Sequence, residues 1–235
     1  MSIITVLSII HVISLSIAII SSFLLYRMYK KTGNVMTKHF FWFFVYVVAW
    51  MGMYFVTLFT TTGTFTNTSG WFPATSHGFF LVGLAYFARI FAIMVIPKYE
   101  KHIFWTTMTA AIAIIVLGLT VWGEAGINPT TGGISYATDP ILLQVSAMIS
   151  TIILLFTSVL FFYQGSKSTN EVVKTRSYLI GFGMLLLLWH GVSLVLVPAY
   201  GKMPWLIGEA LNVLAFTILL IGLLYRIPNS EENGL

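Results

Sequence analysis

The stretch SYLIGFGMLLLLWHGVSLVLVPAYGKMPWLIGEALNVLAFTILLIGLLYR, residues 177–226, decides the class of this protein. It holds two apolar runs, 178–197 and 203–225, each about the 20 residues that a helix needs to cross a bilayer. Within them stand Trp189, His190, Glu209 and Asn212. Glu209 is the one acidic side chain inside any apolar run of the chain. Removing a carboxyl from water costs several kcal/mol unless it is protonated or partnered. A polar partner for Glu209 is therefore expected within the bundle.

Working outward, five more apolar runs precede these two, at 3–26, 40–61, 78–96, 103–122 and 141–163. The chain is 58% hydrophobic and 8% charged, against roughly a quarter charged in soluble domains. This is the composition of an all-α integral membrane protein, a single domain of seven transmembrane helices in contact with the lipid bilayer. The first run has no cationic leader and is too long for a cleaved signal peptide. A nine-residue tail after Arg226 leaves no room for a soluble catalytic domain. The chain has no cysteine, which excludes disulfides, thiolate metal sites and cysteine nucleophiles.

Orientation follows from the cations. Arg27, Lys30, Lys31, Lys38, Lys98, Lys101, Lys167, Lys174, Arg176 and Arg226 fall on one side of the seven runs, and Lys202 on the other. The positive-inside rule then places the N-terminus outside and the C-terminus in the cytoplasm. The net charge of +5 sits in membrane-facing loops, so nucleic acid is not an expected partner. Trp71, Trp105, Trp122, Tyr136 and Trp205 stand near run ends, where interfacial anchors belong. Asn67-Thr68-Ser69 forms a glycosylation sequon on the outside.

There is a faint internal echo. Trp50-Met51-Gly52 in the second run matches Trp189-His190-Gly191 in the sixth, and Leu81-Val82-Gly83-Leu84-Ala85 matches Leu206-Ile207-Gly208-Glu209-Ala210. Together with seven spans and an outside N-terminus, this 3+1+3 pattern resembles the microbial rhodopsins and the SWEET-type sugar carriers. Tyr86-Phe87-Ala88-Arg89 is similar to the rhodopsins' Tyr-Trp-Ala-Arg. The seventh run has no lysine, with Phe216 and Thr217 at the positions where retinal would be held. Ala92 stands where a counterion carboxylate would be expected. Covalent retinal is therefore not expected, and the carriers' proline–glutamine motif is absent.

Helical rise of about 1.5 Å per residue estimates depth. His11 and His190 lie about 12 Å below the outer ends of their runs, Tyr54 about 11 Å, Glu209 about 8 Å and Asn212 about 13 Å. Arg89 lies about 17 Å down, with a side chain that reaches several ångströms either way. The expectation is a polar cavity in the outer half, with Arg89 and Glu209 as its charged pair and His190, Asn212, His11, Tyr54 and Trp189 around it. A histidine beside such a pair can accept protons near neutrality. The alternative is that these groups only tie helices together, His11 above all.

The aromatics and methionines of the second and third runs read as lipid-facing and packing surface rather than as a cofactor box. No spacing of His, Asp or Ser points to hydrolysis, so catalysis is not expected. The functional reading is a transporter, channel-like protein or receptor that binds or passes a small solute or proton. Its rivals are a non-catalytic subunit among other membrane subunits, and a haem b electron carrier using His11, His77, His190, His39 or His102. No cofactor is expected on the first reading.

Overall fold

The computed structural model describes residues 3–61, 71–120, 126–127, 134–135, 140–200 and 202–225. Seven long α-helices account for nearly all of them: α1 (Ile3–Thr32), α2 (Val35–Thr61), α3 (Trp71–Val95), α4 (Glu100–Thr120), α5 (Pro140–Lys167), α6 (Glu171–Tyr200) and α7 (Lys202–Leu224). Each holds a stretch long and apolar enough to cross a membrane. A two-residue antiparallel ladder, Gly126–Ile127 against Ile134–Ser135, lies between α4 and α5.

Most helices outrun the apolar stretches that announce them. A hydrophobic run marks the thickness of hydrocarbon, whereas backbone hydrogen bonding stops only where a cap is available. α1 therefore continues past Arg27, Lys30 and Lys31 to Gly33, whose φ of 63° and N–H bond to the Tyr29 carbonyl (2.8 Å) end it in the left-handed conformation that glycine adopts freely. Asn34 then starts α2 by accepting the Thr37 N–H at 3.1 Å. Asn170 does the same for α6, accepting from Val172 and Val173 at 3.0 and 3.1 Å. Pro73, Pro140 and Pro204 all fall in first turns, where a missing N–H costs nothing. α6 runs on through Pro198 in its last turn.

Three short connections, at 33–34, 96–99 and 168–170, gather the basic residues at one end of the bundle, called here the basic end. There Arg176 donates from Nε and Nη2 to the Gly222 and Leu223 carbonyls (3.3 and 2.7 Å), closing the C-terminus of α7 with a cation.

The chain order is kept in the packing. α1 lies on α2, α2 on α3, α3 on α4, α5 on α6 and α6 on α7, while α3 also meets α5 and α7 returns to α1. The α6–α7 seam is closely packed through small residues. A Cβ built on Gly183 would come within 2.7 Å of the Leu219 side chain, and one on Gly222 within 2.9 Å of Leu179. Close approach through small residues is how membrane helices gain dispersion contact. Gly183→Val is expected to lower stability by about 1–3 kcal/mol through overpacking. Gly52→Val, where nothing lies within 4 Å, should change it little. Thermal unfolding in detergent compares the two, and equal midpoints would contradict the tight seam.

A chain of rings crosses the interior. Phe40 meets Phe161 and Phe87 (centroids 6.3 and 5.4 Å), Phe43 meets Phe87 and Phe44 (4.0 and 5.2 Å), and Phe44 reaches Phe216 on α7 (6.1 Å). Phe43, Phe44, Phe87 and Phe216 are fully buried. By helical rise all four lie about 12 Å from the basic ends of their helices. The aromatics of α2 and α3 are thus interior packing in large part, with a smaller lipid-facing share than the sequence suggests.

Candidate functional site

Two clusters of polar side chains stand out among the buried and half-buried residues. The first lies between α1 and α7. His11 Nε2 is 3.7 Å from Glu209 Oε2, and both side chains are nearly inaccessible. Asn212, one turn on from Glu209, donates from Nδ2 to the same Oε2 at 3.4 Å. Ser14 stands one turn on from His11, also buried. α1 and α7 run in the same direction, so contact at His11–Glu209 sets Ser14 level with Asn212. The Ser14 Oγ and Asn212 Oδ1 atoms have no hydrogen-bond partner among the described residues. A seam between two helices thus carries a carboxylate, an imidazole, an amide and a hydroxyl, with two polar atoms left over.

The second cluster lies at the basic end, among α2, α3 and α4. Arg89 donates from Nε to Glu100 Oε1 at 2.6 Å, and its Nη2 contacts the same oxygen. The guanidinium also lies 5.1 Å from the Phe104 ring centroid. Tyr86, one turn before Arg89, packs on Phe104 (5.2 Å) and beside His39 (5.9 Å). His39 is buried, and neither ring nitrogen has a hydrogen-bond partner among the described residues.

The expected Arg89–Glu209 pair is therefore not formed. Two features explain this. α3 begins at Trp71, seven residues before its apolar run, so Arg89 lies about 27 Å from the first residue of its helix and about 9 Å from the basic end. The Pro97–Tyr99 turn then folds α4 back on α3 and brings Glu100, its first residue, alongside. Glu100 reads as a loop residue in the sequence, yet an arginine one helical stretch before a three-residue turn and a glutamate just after it was the available signal. Glu209 takes His11 instead, so the histidine most readily assigned to structure is the carboxylate's neighbour.

Trp189 is half exposed on the outside of the bundle and does not join the polar seam. Its echo Trp50 is buried against Phe80 at 4.5 Å, so the two members of the internal echo occupy opposite environments. The side chains of His190, Tyr54, Trp71 and Trp205 lie outside the described residues, as do Trp122, Tyr136 and the sequon at Asn67. Trp105 is exposed one turn into α4, near the basic end. His102 is exposed at the same end, whereas His39, equally unremarkable in the sequence, is enclosed. Ser14 and Glu100 are polar residues that the sequence did not single out, and His39 was named there only among the candidate haem ligands. Among the described residues no three His, Asp or Glu side chains gather closely enough to hold a metal ion.

Compared with known protein families and with curated proteins, the sequence matches none. Among the described residues the structure defines the class, a bundle of seven helices of membrane-spanning length and apolarity.

Proposed function

We propose that the chain is a multi-pass protein of the cell membrane, with its N-terminus outside and its basic end in the cytoplasm. Its His11–Ser14–Glu209–Asn212 seam, in the outer half, binds or passes a proton or a small polar solute. The observation that carries this reading is the pair of buried orphan atoms, Ser14 Oγ and Asn212 Oδ1, beside a buried carboxylate. Burying an unsatisfied polar atom costs about 1–3 kcal/mol. Helix association gains on average only about 0.6 kcal/mol per interhelical hydrogen bond. Glue alone would not retain that arrangement, whereas a visiting hydrogen-bonding group satisfies it. Transport ranks first and small-molecule reception second. The 3+1+3 likeness to rhodopsins and SWEET carriers supports the topology of this reading.

Two experiments test it. Cysteine is absent from the chain, so single cysteines report topology cleanly. One at Thr66 is expected to react with an impermeant thiol reagent applied outside, and one at Thr169 is not. The reverse pattern would invert the protein. For the site, proteoliposomes with an entrapped pH dye are given a pH step. Wild type is expected to dissipate the gradient faster than empty vesicles, and Glu209→Gln to return to the empty-vesicle rate. Equal rates for wild type and Glu209→Gln would remove the seam from any proton pathway.

A further inference from the structure

Outside the polar clusters, the α1–α2 seam carries a groove that opens to the bundle's exterior, with a volume of about 340 Å3. Ile19, Phe23 and Tyr26 of α1 and Phe41, Val45 and Val48 of α2 form its walls. Ser22 also lines it, but its hydroxyl is spent on the Ala18 carbonyl at 2.9 Å. The lining is therefore apolar throughout. It spans eight residues of each helix, 19–26 and 41–48, about 10 Å along the axis.

The groove has direction. α1 and α2 are antiparallel, and Tyr26 packs on Phe41 at 5.5 Å, so these two rings mark the end nearest the basic connection. Cations gather at that end. Arg27 lies 5.6 Å from the Phe23 ring and Lys30 5.6 Å from the Tyr26 ring, the two aromatic walls of the groove. Lys38 lies 5.9 Å from Tyr29 on the next turn. Among the described residues none of the three sits in an ion pair. A short apolar trough thus ends under several exposed cations that are in no ion pair among the described residues.

We propose that this groove is a binding site for one anionic glycerophospholipid of the cytoplasmic leaflet, with an acyl chain along α1 and α2 and the phosphate on Arg27 and Lys30. Charge complementarity selects the occupant. The groove alone accepts any acyl chain, but basic pockets at the cytoplasmic ends of membrane helices favour anionic headgroups, because each cation adds attraction that a zwitterionic headgroup largely cancels. Pinning the cations over rings also lowers the ordering cost of binding, since their side chains are already placed. The proposal rests on the membrane reading above but is independent of the polar seam.

Native mass spectrometry of the full-length protein, in detergent with equal amounts of phosphatidylglycerol and phosphatidylcholine, tests it. One phosphatidylglycerol is expected to be retained in preference to phosphatidylcholine. Arg27→Gln/Lys30→Gln should weaken its binding about 30-fold, from the loss of two near-surface cations. Val45→Phe fills the groove without touching charge and should reduce retention of either lipid. Thermal unfolding without lipid confirms that both variants are folded. Equal retention of the two lipids by wild type, or undiminished phosphatidylglycerol on either variant, would overturn the site. A protein that stays dispersed without detergent and retains neither lipid would overturn the membrane reading itself, and the site with it.

Discussion

His11→Leu is expected to lower the stability of the detergent-solubilised protein by about 1–3 kcal/mol, the cost of taking one polar neighbour from a buried polar group. The reason lies in what remains. Glu209 stays buried at 3% exposure, with its imidazole neighbour replaced by a hydrocarbon. The double substitution His11→Leu/Glu209→Leu removes the polar pair and fills its space with side chains suited to the seam. Its loss is expected to fall short of the sum of the singles by more than about 1 kcal/mol. A double-mutant cycle on thermal unfolding reads that difference directly. Additivity within about 0.5 kcal/mol would show that the 3.7 Å approach of Nε2 to Oε2 carries no energy and that Glu209 is held by other groups.

The second large effect concerns Arg89. Arg89→Gln and Glu100→Gln are expected to couple by about 1–2 kcal/mol. That lies between the 0.2–1 typical of exposed pairs and the 3–5 of buried ones, because the two side chains keep 29% and 22% of their exposure. Screening by salt should shrink the coupling at high ionic strength. Arg89→Gln and Glu209→Gln are expected to add within about 0.5 kcal/mol, as independent sites do. A strong Arg89–Glu209 coupling with a weak Arg89–Glu100 one would contradict the side-chain arrangement described.

What the sequence made legible was what hydrocarbon imposes. Seven apolar runs separated by basic or Thr/Gly-rich connections predict seven helices, and each run has its helix. The ends were less legible, because Gly33, Asn34 and Asn170 act through backbone geometry and not through hydropathy. The separation of the charged groups was not legible at all. Depth measured from the start of an apolar run placed Arg89 too close to the outer groups, since α3 starts a further seven residues earlier. Pairing depends on rotation about each helix axis, which a nearly uniform apolar helix does not encode. Trp189 and Trp50 show this plainly: the same tripeptide pattern leaves one ring half exposed and the other enclosed. His39 shows the converse, where a residue flanking a basic loop turns inward because α2 is already helical from Val35.

The chain of phenylalanines has a kinetic meaning. Phe216 stands seven residues beyond Glu209 on α7, about 10 Å nearer the basic end, and its partners Phe44, Phe43 and Phe87 close the interior at that depth. On the proposed function, a proton or solute leaving the seam towards the basic end would meet these edge-on and tilted rings. On that reading its onward passage would wait for those rings to part, a collective helix motion on the microsecond-to-millisecond scale. Turnover through such a barrier saturates with substrate and rises steeply with temperature, as a carrier's does and an open pore's does not. Trimming Phe43 or Phe87 to alanine would convert one behaviour into the other, with leak conductance as the sign.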